Sequence, residues 1–532
     1  LDNFIFCRRG CDRAYFTTLN RFSFINVLKE KSLLIMRVSS VRSDFSPSQS
    51  KPYKLEDWRG ANRSLKQEYD YWIEDVEGEI PPDLNGTLYR NGPGLLDIFG
   101  YPVHHPFDGD GMICAIAFSN GRAHFRNRFV RTEGYCAEQA AGRMLYRGVF
   151  GTKKPGGWLA NAFDLRKKNV ANTQIIYWGD KLLALWEASH PHRLDPHTLE
   201  TLGMETLNGV LHKDSPFAAH PMIDPGGNER EPHLVTFAIK PAGLITTVTV
   251  YELDTSGTVV EQHDHRLPDF AFMHDFAITP NYCIFFQNPV SLNPLPYVLG
   301  FRGAAECIKF HGDRPTKIWL IPRDSSKQVQ VLETDPCFVF HHANAFEQGE
   351  KIIVDSVCYE TFPAIDHNLN YQEIDFDSRP PAQLWRFHLN LRDETVKRKL
   401  CDRRSCEFPF IHPAFIGQRH RWIFLAAAHQ PEGDAPQQAI LKINPESGEQ
   451  DFCSFAPKGF VGEPVFVPRP GSTQEDGGWV LVLVYDATYD RTDIVILDGS
   501  DLSRGAIATL HLKHHIPYGL HGSFASNVQW NE

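Results

Sequence analysis

Seven times along the chain an apolar strand ending closes on a polar turn residue, and the turn residues are Asn120, Asp195, Asp254, Arg323, Asn390, Asn444 and Asp498. Their spacings run from 54 to 75 residues. A unit of that length is longer than a hairpin and shorter than a self-sufficient domain, so each must bury its faces against its neighbours. All-β units of this size close radially, as four-stranded blades, and closure removes the exposed sheet edges that an open array would carry. The spacing therefore predicts an all-β fold, a seven-bladed β-propeller.

The segments between the markers agree. Ile113 to Phe118 and Ala123 to Val130 flank Asn120-Gly121, and Thr173 to Trp178 and Lys181 to Trp186 flank Gly179-Asp180, two hairpin signatures. Further short β-branched and aromatic runs are expected as strands at 245–253, 317–321, 351–359, 383–389, 421–426, 479–485 and 493–497. Long amphipathic helices are absent from the pattern, which argues against α/β folds.

The repeat makes a test of the histidines possible. Read alone, His341 and His342 in the aromatic run 338–347 are two of 24, and a buried, hydrogen-bonded core histidine is the commoner use of such a residue. Counted from the markers, however, His220, His274, His341 and His521 fall 18 to 25 residues after one, and the remaining two later units hold Glu407 and Glu463 at 17 and 19. In a propeller that phase is the innermost strand of the next blade, so all six side chains can face one axis. Four converging imidazoles without a cysteine suit a borderline transition metal, iron, zinc or copper.

The motifs around these positions are Phe217-Ala218-Ala219-His220-Pro221, Phe272-Met273-His274-Asp275-Phe276, Phe340-His341-His342-Ala343-Asn344 and His521-Gly522-Ser523-Phe524. They are preceded by Tyr89-Arg90-Asn91-Gly92-Pro93-Gly94 and by residues 105–112, His-Pro-Phe-Asp-Gly-Asp-Gly-Met. From Tyr89 to His521 the chain resembles the carotenoid cleavage oxygenase family, most of all its bacterial apocarotenoid-cleaving branch. The resemblance implies a loop and short-helix dome over an axial Fe(2+) bound by His220, His274, His341 and His521. The family's His-x-x-Asn pattern selects His341 over His342. Glu187, Glu407 and Glu463 match the glutamates that accept the ring N–H groups, and Glu187, off phase, is assigned by resemblance alone. With three such carboxylates the formal charge of a divalent site would be −1. The implied activity is dioxygen-dependent cleavage of a conjugated C=C bond of a carotenoid or apocarotenoid to aldehyde products such as retinal, with the metal carrying the chemistry and no protein nucleophile.

Two rivals stay in view. Stilbene-cleaving relatives typically carry a lysine before the first of these glutamates; here that position is Trp186, which favours an extended apolar substrate. A non-catalytic carotenoid-binding propeller would have no need of all four histidines and three glutamates. The residues that bind substrate, the bond cleaved and the oligomeric state are not legible in the motifs.

The remaining features are read more plainly. Asp108 and Asp110 are expected to be turn-forming aspartates rather than a calcium loop. His104, His105, His190, His192, His514 and His515, unphased, are expected as surface or packing histidines. The apolar, proline-broken run from Phe285 to Phe301 reads either as a buried loop or as part of the dome, a mouth that dips into a membrane surface. Residues 1–50, basic and then serine-rich, are expected to lie outside the single catalytic domain of 51–532, as a disordered extension or an upstream-start artefact with Met36 as the true start. The balance of 54 basic against 65 acidic residues, a net charge of −11, argues against a nucleic-acid partner. Scattered cysteines and the lack of a long apolar run point to a cytoplasmic protein, with membrane contact at most peripheral.

Overall fold

Each of the seven turn residues ends, or directly follows, the third strand of one antiparallel sheet counted from a common axis. The computed structural model describes residues 51–212, 215–227, 230–363 and 371–530; the expectations for residues 1–50 fall outside that range. Blade 2 is representative of the pattern: Gln174–Trp178, Lys181–Leu185, His192–Leu194 and Thr201–Met204 run outward from the axis. Blades 3 to 6 begin at Met222–Asp224, Ala277–Ile278, Phe338–Gln348 and Cys406–Phe410. Their inner strands lie side by side: Ala277–Ile278 packs against both Met222–Asp224 and Phe338–Gln348.

The ring is closed by pairing distant parts of the chain. Blade 1 takes its inner strand, Gly522–Ala525, from beyond blade 7 and pairs it with Gly86–Leu95, with Arg90 opposite Gly522. Blade 7 takes its outermost strand, Val76–Gly78, from before blade 1 and pairs it with Ala506–His511. The closing strand approaches so near that a Cβ on Gly522 would lie 2.3 Å from the Tyr89 carbonyl oxygen; no larger residue fits there.

Because a blade is covered on both faces, its middle strands read as nearly continuous apolar runs rather than alternating ones. Phe285 faces Phe237 and Phe276 on one side, while Phe286 faces Phe387 on the other. This corrects the reading of the 285–301 run. Its first residues belong to the strand Tyr282–Gln287 and are core, and only the later ones form dome. Buried ion pairs cross the interfaces as well: Arg323 joins Glu252 (2.6 Å) and Asp224 between blades 3 and 4, and Arg386 meets Asp355 (2.7 Å) in blade 5, with His420 of blade 6 on the same carboxylate.

The dome is built from long connections between blade strands. It holds the helices Glu133–Ala141, capped by Thr132, Gly157–Asn161 and Leu295–Val298, and two short ribbons. Arg147 ties it together by donating to the carbonyls of Asn161, Tyr297 and Arg302 at 2.6–2.9 Å. Asp108 accepts from Phe150 N, Thr152 N and Thr152 Oγ1, and Asp110 pairs with Lys168, so both serve the dome's architecture. Among the described residues no helix is long and apolar enough to cross a membrane.

Candidate metal centre

The inner strands meet the axis at their first residues, and there the histidines gather. His220, His274 and His521 each stand at the threshold of an inner strand, while His341 lies within Phe338–Gln348. One ring nitrogen from each falls within 4.8 Å of the others. Nitrogens bound at about 2.0–2.1 Å to one first-row ion lie at most about 4.2 Å apart, so rotations of a few tenths of an ångström suffice. His220 Nε2 and His274 Nε2 are 2.9 Å apart. His341 Nε2 is buried without a hydrogen-bond partner, a state that costs free energy unless something accepts its lone pair or proton.

Three rings are oriented from behind. His274 Nδ1 meets Glu187 Oε2 at 2.6 Å, His341 Nδ1 meets Glu407 Oε2 at 2.6 Å, and His521 Nδ1 meets Glu463 Oε1 at 2.8 Å. With Nδ1–H held by a carboxylate, each Nε2 lone pair points to the axis. The carboxylates differ in their own support. Glu407 also accepts from Tyr359 OH and Phe408 N, both at 2.8 Å. Glu463 accepts from Gly522 N (2.8 Å) and is paired with the buried Arg90. Glu187 is 27% exposed and bonds His274.

Arg90 lies inside the Tyr-Arg-Asn-Gly-Pro motif, yet its role is invisible in sequence; paired with Glu463, it brings the formal charge expected for a divalent site from −1 to zero. Asp275 is a second unpredicted residue. It accepts the N–H groups of Phe276 and, at 2.8 Å, His342, locking the two histidine-bearing strands in register; burial pushes its carboxyl up to about 6. His342 turns away from the axis to Ser356 Oγ at 2.7 Å.

Protonation follows the surroundings. Burial and the other three imidazoles depress His220 far below the ordinary value, and burial takes His521 to about 4 against the pull of Glu463. At His341 burial is outweighed by Glu407, and the ring titrates higher than usual. Neutral imidazoles are what a cation requires of its ligands.

Two cavities border the cluster. One, of about 230 Å³, reaches His274, His341 and His521 through walls of Phe107, Phe150, Trp186, Phe272, Phe340 and Phe362. It also contains Asn172 and Thr173, the blade 2 residues at the same level of the axis, which the spacing missed because the helices of the dome lengthen that connection. His105, expected as a packing or surface residue, is half-buried and lines this cavity. The other cavity, of about 480 Å³, reaches His220, His341 and His521 among Ile223, Ile278 and Phe466.

The family model for retinal pigment epithelial membrane protein, RPE65, matches residues 62–526. The chain belongs to the RPE65 family of carotenoid cleavage oxygenases. This oxygenase is 54% identical over 483 residues to apocarotenoid-15,15'-oxygenase of Synechocystis sp., covering 90% of this chain and 98% of that one. The crystal structure of the cobalt-substituted Synechocystis enzyme superposes with a TM-score of 0.88 at 53% identity, over 90% of this chain and all of that one. Lignostilbene-alpha,beta-dioxygenase isozyme III of Sphingomonas paucimobilis is 30% identical over 490 residues, covering 88% of this chain and 96% of its own length.

Proposed function

We propose that this protein is a non-haem Fe(II) dioxygenase that cleaves a C=C bond of an apocarotenoid polyene with dioxygen, one oxygen atom going to each of two carbonyl products. His220, His274, His341 and His521 would hold the iron, which supplies dioxygen activation when bound. The observation that carries the reading is the four-histidine cluster, three of its rings backed by glutamate, on an aromatic-walled cavity. Glu187, Glu407 and Glu463 fix the rings and keep their lone pairs directed at the axis. The phenylalanines and Trp186 exclude water and offer π faces to a conjugated chain. A stilbene-type substrate is disfavoured because Trp186 contributes apolar surface where a phenol-cleaving relative is expected to carry lysine. Iron-loaded protein incubated with β-apocarotenals should yield shorter aldehydes resolvable by chromatography; absence of aldehyde from every chain length would sink the proposal.

The dome supports a further part of the reading, peripheral contact with a membrane that stores such substrates. Leu159 and Phe163 are each 72% exposed, and Trp158, Leu165, Leu295 and Phe301 are at least half so or nearly so. Phe163 N donates to Val298 O, so the two apolar segments are adjacent. Such a patch rarely faces water alone. Leu159→Asp with Phe163→Asp should abolish co-sedimentation with liposomes while leaving cleavage of detergent-dispersed substrate intact.

A further inference from the structure

The 230 Å³ cavity contains one cationic side chain that no described residue neutralises. Arg379 follows the turn Phe376–Ser378 and borders the cavity together with Phe362, Pro363 and His105. The other arginines drawn into the fold are matched: Arg90 with Glu463, Arg147 with three carbonyls, Arg323 with Glu252 and Asp224, Arg386 with Asp355. The field of Arg379 reaches Tyr359 and Asp434, but Tyr359 OH is bonded to Glu407 and Asp434 accepts from Ser405. Among the described residues the guanidinium has no hydrogen-bond or ion-pair partner.

His105 adds a second donor to the same cavity. Its Nδ1 accepts Phe107 N–H at 3.3 Å, which leaves the proton on Nε2. The ring stacks on Phe150 with centroids 5.5 Å apart. Burial holds it neutral, with the positive charge of Arg379 acting in the same sense. An aromatic cavity thus presents N–H donors from Arg379 and His105.

We propose that Arg379, assisted by His105 Nε2–H, anchors the oxygen-bearing end of the substrate, so that the enzyme prefers apocarotenoids ending in a carboxylate or aldehyde over polyenes ending in hydrocarbon. The inference rests on the polyene-cleavage reading above. A guanidinium matches a carboxylate in a two-bond fork and a carbonyl in one. A hydrocarbon end would displace water from the guanidinium and return nothing. Anchoring one end also sets the distance to the metal, and so which double bond is presented.

The test compares three polyenes of equal conjugated length, ending in a carboxylate, an aldehyde or a methyl group, with wild-type, Arg379→Met and Arg379→Lys protein. Wild-type kcat/KM should be about 10- to 100-fold higher for the two oxygenated substrates, the worth of a charge-assisted hydrogen bond. Arg379→Met should remove that preference by lowering the oxygenated substrates alone and should broaden the set of bonds cut. Arg379→Lys should keep part of the preference for the acid. Equal losses on all three substrates, or no loss, overturn the anchor. Binding of the acid, followed by tryptophan quenching in metal-free protein, separates this inference from the reaction. If nothing is cleaved but Arg379→Met still weakens acid binding at least ten-fold, the anchor stands and the dioxygenase reading falls. Undiminished binding in the variant overturns the anchor whatever the turnover.

Discussion

Glu463 and Glu187 have the same bond to a histidine and unequal surroundings. Glu463 is buried, holds Arg90 and caps Gly522 N, whereas Glu187 is partly exposed and, among the described residues, bonds His274 alone. Glu463→Gln should therefore lower metal affinity or turnover by about 10- to 100-fold and also destabilise the fold by about 3–5 kcal/mol, because Arg90 is left buried and unpaired. Glu187→Gln should affect the metal alone, with the denaturation midpoint unchanged. Metal content and chemical denaturation of the two variants check both statements. His341→Ala should lose metal and activity together; full metal content with undiminished turnover would remove it from the site. At this scale the histidines were legible because their spacing follows the blade period. Arg90 was not, because its contact with Glu463 spans 373 residues and no local pattern announces it. His105 and Arg379 were missed for a related reason: they reach the cavity from dome connections that have no period.

Among the elements, the asparagine of the His-x-x-Asn motif does structural work between blades 5 and 6. Asn344 Nδ2 donates to Phe415 O and Gln418 O, and its Oδ1 accepts Gly417 N, each at 2.9 Å. Asn344→Ala removes the partner of all three groups and leaves the buried Gly417 N–H unsatisfied, which should cost roughly 1–3 kcal/mol, read as a lower urea midpoint. The strands themselves were legible: expected runs such as 351–359 coincide with Lys351–Tyr359. The run 285–301 was harder to place because a blade strand covered on both faces and an apolar dome segment share one composition, and only neighbours distinguish them.

For the whole molecule, the seven-fold count came from the turn residues that close the third strands, whereas ring closure depends on pairings between chain ends that sequence periodicity cannot announce. Acid sensitivity also belongs to this scale. Burial lowers His105 to about 3 and His192 to about 4. Below the ordinary histidine value of about 6.5 the unfolded chain protonates these two rings while the folded one refuses the protons, so both withdraw stability as pH falls from there toward 4. The melting temperature of metal-free protein should drop between pH 7 and 5, with His192→Leu reducing the slope; a flat profile would contradict the burial.

The strand Gly522–Ala525 gives the molecule a clock. Three of the candidate ligands are synthesised by His341, but the fourth, His521, directly precedes the strand that closes blade 1. A growing chain on the ribosome has no complete four-histidine cluster until translation has passed Ala525 and the closing strand has emerged to pair with Gly86–Leu95. Assembly of the centre therefore waits on the last strand of the ring, and a metal chaperone acting before that strand has paired would find nothing finished to fill.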